Sequence, residues 1–236
     1  MVWREHDLSQ RRRVPELMDQ PELCEAEHHC ALRGLRRINR LSRGAAIFWP
    51  SLRKLARESP IRVLDLATGG GDVAITLAKW SSRAGLRIAV EGCDISSRAI
   101  EFARERARVE RANVQFFTRD ALAEALPDDY DVLCCSLFLH HLDDESALLL
   151  LRRMAEAARR LVLVNDLIRS ASGLLLARIG CRLLSRSRVV HYDGPVSVQA
   201  AYQPREVLEL ADKAGLRGAS LTRHWPQRFL LSWSPE

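Results

Sequence analysis

A chain of 236 residues, 47% apolar and 28% charged, is long enough to bury one sizeable core, and this composition excludes a disordered, collagenous or disulfide-stapled protein. The net charge of +6 is carried almost wholly by arginine, since lysine occurs only at Lys54, Lys79 and Lys213. That skew suits a GC-rich coding sequence at least as well as a nucleic-acid partner, and the basic N-terminal segment keeps RNA open only as a minor partner.

No stretch approaches the roughly 20 apolar residues of a membrane span, and the opening "MVWREHDLSQRRR" lacks the apolar segment of a signal peptide. The six cysteines (Cys24, Cys30, Cys93, Cys134, Cys135 and Cys181) form no C-x-x-C, and three of them lie in strand-like apolar runs. Buried free thiols point to a reducing, cytoplasmic setting.

Residues 1–58 are predicted to be helical, punctuated by Pro15, Pro21 and Pro50, with Pro60 just beyond. Leu32, Leu35, Ile38 and Leu41 recur every three residues, with arginines filling the other faces, which is the pattern of an amphipathic helix. From Ile61 the pattern becomes strand, turn, helix, repeated. Strands are predicted in "IRVLDL", "LRIAVEGCD", "NVQFFTRD", "YDVLCCS" and "RLVLVND", with helices over 71–83, 96–111 and 143–159. Continuous Val, Leu, Ile and Cys runs indicate strands buried on both faces, and their alternation with helices indicates a doubly wound parallel α/β sheet. A helical insertion follows near 171–186, then a loop rich in His, Tyr, Gly and Pro, a helix over 204–214, and two last strands in "GASLTRHW" and "PQRFLLSWS".

The turn after the first strand, "LDLATGGGD", is glycine-rich and therefore ligand-holding. It lacks the Lys-Ser/Thr of a P-loop, and Ala74 stands where a dinucleotide loop needs its third glycine. Asp65 closes the strand and Asp72 opens the helix. Two carboxylates repel a pyrophosphate but suit a ligand bearing an ammonium and a sulfonium, which is S-adenosylmethionine (SAM).

The segment resembles motif I of the class I, Rossmann-like methyltransferases, [DE]-x-G-x-G-x-G. Asp65 takes the acidic place, Gly69 and Gly71 the last two glycines, and Ala67 replaces the first. The resemblance implies a seven-stranded, mostly parallel sheet over residues 59–236, with an insertion near 170–200 and the 1–58 helices as a lid. It further implies that Asp94 in "EGCDIS" holds the ribose hydroxyls, a task for which a bidentate acceptor is suited. Ile95 would pack on the adenine, Asp120 would accept from the adenine amino group with Ala121 beside it, and Thr68, Ser136 and Leu137 complete the footprint. Arg40 or Arg37 would pair with the methionine carboxylate.

The loop after the fourth strand reads "CCSLFLHHLDDE" and carries neither the [DNS]-P-P-[YFW] of base amino-methyltransferases nor the Pro-Cys of cytosine methyltransferases. "LHHLDD" resembles small-molecule methyltransferases, including those of ubiquinone and menaquinone biosynthesis. That implies a small, apolar, aromatic acceptor of the phenol or quinol type, methylated at oxygen. Histidine suits a phenol's proton near neutral pH, and His141 is expected as the base, with His140 beside it. Asp166, His191, Tyr192 and Arg228 are expected around the acceptor. Carbon methylation, RNA methylation and SAM binding without catalysis are the other functions considered. No metal site is expected, because Cys24, His28, His29 and Cys30 make no convincing four-ligand set; a monomer or homodimer is expected.

Overall fold

The computed structural model describes residues 8–20, 23–41 and 44–235. Its centre is a seven-stranded sheet of β1 (Ile61–Leu66), β2 (Ile88–Asp94), β3 (Val114–Thr118), β4 (Val132–Ser136), β5 (Leu161–Leu167), β6 (Ser220–His224) and β7 (Arg228–Trp233). The strand order is β3-β2-β1-β4-β5-β7-β6. The first five strands run parallel, and β7 pairs antiparallel with both β5 and β6. The order reverses at β1 and β4, so the C-terminal ends of those strands open a crevice, the usual place for a ligand in such sheets.

Strand alternation sorts side chains between two cores. Val63, Val132, Cys134 and Leu163 face one side and pack on α2 (Gly44–Glu58), α3 (Asp72–Arg83) and α4 (Ser97–Glu110). Leu64, Leu66, Leu133, Cys135 and Val164 face the other side and pack on α5 (Asp144–Ala157) and α8 (Pro204–Lys213). This explains the continuous apolar strand sequences. No helix among the described residues is long and apolar enough to cross a membrane.

The N-terminal region divides into three parts. Residues 8–20 form an extended strap with one 3-10 turn, Leu17–Asp19. Helix α1 (Glu25–Leu41) turns Leu32, Leu35 and Ile38 towards the cavity described below. Helix α2 instead belongs to the sheet-packing layer, burying Phe48 and Leu52 completely. Pro50 lies inside α2 and does not end it; the surrounding buried side chains offset the lost backbone hydrogen bond.

A second difference concerns residues 188–200, expected as a loop. They form helix α7 (Arg188–Ala200), with Ser187 accepting from Val190 N at its start. Val189, Val190 and Val198 are buried, and Pro195 is accommodated within the helix. Helix α6 (Ala171–Leu184) meets α7 where a Cβ on Gly194 would lie 2.3 Å from Cys181 Sγ, so the two helices touch there because the residue is glycine.

If α2 is integral to the core, Phe48→Ala should lower the unfolding free energy by about 3–5 kcal/mol. Chemical denaturation checks this; a loss below about 1 kcal/mol would place α2 outside the cooperative unit.

Candidate active site

The turn after β1 is held from three directions. Thr68 N donates to Cys93 O at 2.9 Å, Thr68 Oγ1 donates to Asp65 Oδ2 at 2.7 Å, and Gly69 N donates to Asp94 Oδ2 at 2.8 Å. Its two motif glycines serve different ends. Gly69, at φ +52°, has no atom within 4 Å of the place a Cβ would take, so its backbone is open to a ligand. Gly71, at φ +74°, would drive a Cβ to 2.7 Å from the Phe116 ring, so it serves packing. Ala67 adopts φ +50°, a left-handed conformation that a glycine would take without steric cost.

Asp65 is 1% exposed and lies on the wall of a cavity of about 370 Å³. Burial pushes its carboxyl up to about 7, against the lowering effect of the Thr68 hydrogen bond, and the nearby Asp94 charge adds to the rise. Asp72 reaches the same wall, but Arg106 Nη1 meets its carboxylate at 2.5 Å and Asn39 Nδ2 at 3.3 Å. It is therefore a partnered anion, and the expectation of two carboxylates acting together on the ligand reduces to Asp65.

Asp94 and Ile95 lie at the end of β2, and Asp120 and Ala121 just beyond β3. All four are outside the cavity wall, along the adjoining sheet edge. Asp94 accepts one backbone N–H on each oxygen, from Gly69 and Ser96, which leaves lone pairs for a pair of hydroxyls. Ile95 is 67% exposed just beyond the end of β2. Asp120 Oδ1 caps its own turn, accepting from Leu122 N and Ala123 N at 2.8 and 3.0 Å. Ser136 and Leu137 line the cavity, where Asn165 fixes both: its side chain donates to Ser136 Oγ, and its carbonyl accepts from Leu137 N. A buried acid, an open glycine backbone, an acceptor with a free lone pair on each oxygen and an apolar side chain beyond β2 fit the cationic, ribose and adenine parts of SAM.

Of the arginines expected at the methionine carboxylate, the Arg40 side chain lies outside the described residues, and Arg37 Nε donates to Leu184 O at 2.6 Å, at the end of α6. Arg228, expected near the acceptor, is 2% exposed on the cavity wall and donates to Asn39 Oδ1 at 3.4 Å. Burial lowers its pKa to about 10, with the Asp166 charge opposing.

The histidine pair is resolved by its partners. His140 and His141 end a 3-10 turn, Leu139–His141, and both line the cavity. His140 is 4% exposed. Its Nδ1 lies 2.7 Å from Asp166 Oδ1, its backbone N donates to Asp166 Oδ2 at 3.0 Å, and its Nε2 lies 3.7 Å from Glu16 Oε1. Burial disfavours the imidazolium, but the two carboxylates outweigh it and push His140 up to about 10. Asp166, expected around the acceptor, is 1% exposed, lies behind His140 and is not among the residues lining the cavity. His191 and Tyr192 were expected around the acceptor as well. Neither lies on the cavity wall; His191 Nε2 meets Ser185 O at 2.8 Å across the α6–α7 turn, and Tyr192 is 44% exposed. Cys24, His28, His29 and Cys30 do not converge on a common centre.

Glu16 and the strap that carries it were missed in the sequence. Arg11 donates to the His140 and Leu142 carbonyls and to Asp144, and its guanidinium lies 3.6 Å over the Tyr202 ring. Arg13 donates to His141 O, while Asp193 accepts from Leu17 N and Met18 N. The basic run that kept RNA open as a partner is therefore partly spent inside the fold.

A family profile described as methyltransferase domain matches residues 63–160. The chain is 30% identical over 172 residues to the demethylmenaquinone methyltransferase of Deinococcus radiodurans, covering 67% of this chain and 69% of that protein. It is 28% identical over 172 residues to the ubiquinone biosynthesis O-methyltransferase of Thiobacillus denitrificans, covering 68% and 66%. The match thus spans about two thirds of each curated relative. Among solved structures, the SAM-dependent methyltransferase SibL aligns with TM-score 0.68 at 19% identity, over 94% of this chain and 63% of that one. Magnesium protoporphyrin IX methyltransferase from Synechocystis, with bound S-adenosylhomocysteine, aligns with TM-score 0.58 at 18% identity, over 93% and 91%. These two share the sheet described above. With the motif I turn and the Asp94 acceptor at successive strand ends, and with that sequence identity across most of a curated relative, the chain belongs to the class I SAM-dependent methyltransferases.

Proposed function

We propose that the chain transfers the methyl group of SAM to the oxygen of a small, apolar phenol- or quinol-type metabolite. One observation carries this reading: a single cavity runs from Asp65 and Gly69 to the His140–His141 pair, beneath an apolar wall of Leu35, Ile38, Leu176, Leu184 and Val198. The names of the curated relatives, which refer to menaquinone and ubiquinone, support an acceptor of this class.

SAM, when bound, supplies a methyl carbon made electrophilic by its sulfonium. The chain's own part is to hold and desolvate. Asp65 offers the one buried negative charge suited to the cationic end. Asp94 fixes the sugar, which sets where the sulfur points. The apolar wall strips water from the acceptor and holds its oxygen in line, and such positioning supplies much of the acceleration in displacements of this kind. His140 is immobilised by Asp166. His141 reaches the cavity from the same turn and is assigned to the acceptor hydroxyl, where it takes the proton as the oxygen attacks.

Transfer of radiolabel from SAM to a panel of hydroxylated aromatics, with NMR of the product, tests the reading. A methyl ether supports it; a new C–methyl bond replaces oxygen with carbon; label on none of the panel overturns the acceptor class. With a competent acceptor in hand, His141→Ala should lower kcat by roughly 10²-fold or more while leaving S-adenosylhomocysteine binding in place, and an unchanged kcat would remove His141 from the proton's path.

The cofactor site carries its own pH signature. Because the buried Asp65 carboxyl is raised to about 7, a cationic ligand binds its ionised form and expels a proton below that pH. Calorimetric affinity for S-adenosylhomocysteine should level off above about pH 8 and fall by about tenfold per unit well below pH 7. Asp65→Asn should bind weakly and flatten the profile; a flat profile in the parent chain would contradict this role.

A further inference from the structure

We propose that Glu16, His140 and His141 form a binding site for one divalent first-row transition metal ion on the wall of the acceptor cavity. The carboxylate and the two imidazoles each present one ligand atom, and these atoms lie within 4.8 Å of one another. His140 Nε2 and Glu16 Oε1 are 3.7 Å apart, too far for a hydrogen bond. Metal bonds of about 2.0–2.2 Å bring two ligand atoms to roughly 3–3.5 Å of each other, so only small side-chain rotations are needed.

The groups behind the ligands are those a metal site requires. His140 Nδ1 is tied to Asp166 Oδ1 at 2.7 Å, which fixes the ring and turns Nε2 towards Glu16. A carboxylate on the far nitrogen is the usual partner of a metal-bound histidine. Glu16 Oε1 is itself fixed by Ser197 Oγ, which donates at 2.5 Å. Charge also suits a cation: Glu16 and Asp166 bring two negative charges to His140, and a divalent ion takes the place of the proton that His140 would otherwise hold between them. Two nitrogens and one carboxylate oxygen favour zinc, cobalt, nickel or iron over magnesium or calcium.

The three ligands come from the strap and the 3-10 turn and all line the cavity, leaving coordination positions on its open side. Resting on the methyl-transfer reading, those positions take the acceptor's oxygen. With an ion in place, the acceptor oxygen binds the metal as its phenolate, the proton passing to solvent, and His141 serves as a ligand in place of acting as the base. The site itself stands whether or not that reading holds.

The test uses the full chain after chelation and dialysis. Cobalt(II) is titrated in, followed by its visible absorption, and zinc(II) by calorimetry. One ion per chain is expected, with affinity at least about tenfold weaker in Glu16→Gln and in His141→Gln, each checked for parent-like thermal unfolding. These two are chosen because His140 is buried against Asp166 and its replacement endangers folding. Absence of cobalt and zinc binding, or binding that both substitutions leave untouched, overturns the proposal. S-adenosylhomocysteine is titrated into the same samples, so that failure of the cofactor site is read separately from failure of the metal site.

Discussion

A buried imidazole between two carboxylates ties the functional parts of this molecule together. His140 is gripped twice by Asp166, once through its ring and once through its backbone N–H, and it faces Glu16 on the other side. Asp166 belongs to β5, His140 to the turn after β4, and Glu16 to the N-terminal strap. One residue thus joins the sheet, the acceptor wall and the segment that closes over it. Breaking a buried pair from one side leaves an uncompensated charge and costs several kcal/mol, so the strap and the active-site turn have a shared energetic reason to keep this arrangement.

The cofactor end obeys a different constraint. Asp65 is buried with the Thr68 hydroxyl, the Cys134 thiol and the Ala74 backbone N–H at its carboxylate, and burial still outweighs them and raises its pKa, so its ionised form gains from a cation. Asp72, seven residues on at the start of α3, differs: Arg106 and Asn39 already satisfy it. Two acids that look equivalent in the sequence thus divide into one held ready for a ligand and one that fastens α3 to α4. The same division separates Gly69, open to the ligand, from Gly71, pressed against Phe116.

The parallel strands were legible because their apolar runs are uninterrupted and their ends are marked by Asp65, Asp94 and Ser136. The α1 stripe at Leu32, Leu35 and Ile38 was legible too, though not that it would line the cavity. Pro50 misled because proline carries a strong local signal, and the packing of Phe48 and Leu52 overrode it. Residues 188–200 misled for a related reason: their Gly and Pro resemble a loop until Val189 and Val190 pack with Ala31 of α1 and Cys181 of α6. Glu16, Arg11 and Asp193 left no local trace, because their roles arise from contacts more than 120 positions apart in sequence. Asp166 and His191 were expected around the acceptor, but strand and helix geometry turns one behind His140 and the other towards Ser185.

The central claim is that one cavity brings the donor sulfur and the acceptor oxygen together beside the histidine pair. A crystal structure with S-adenosylhomocysteine bound tests it most directly. The account predicts the amino end against Asp65, the ribose on Asp94, and the sulfur facing the apolar wall next to His141. A sulfur turned away from the histidines, or an adenosine seated away from Asp94 and Ile95, would contradict it.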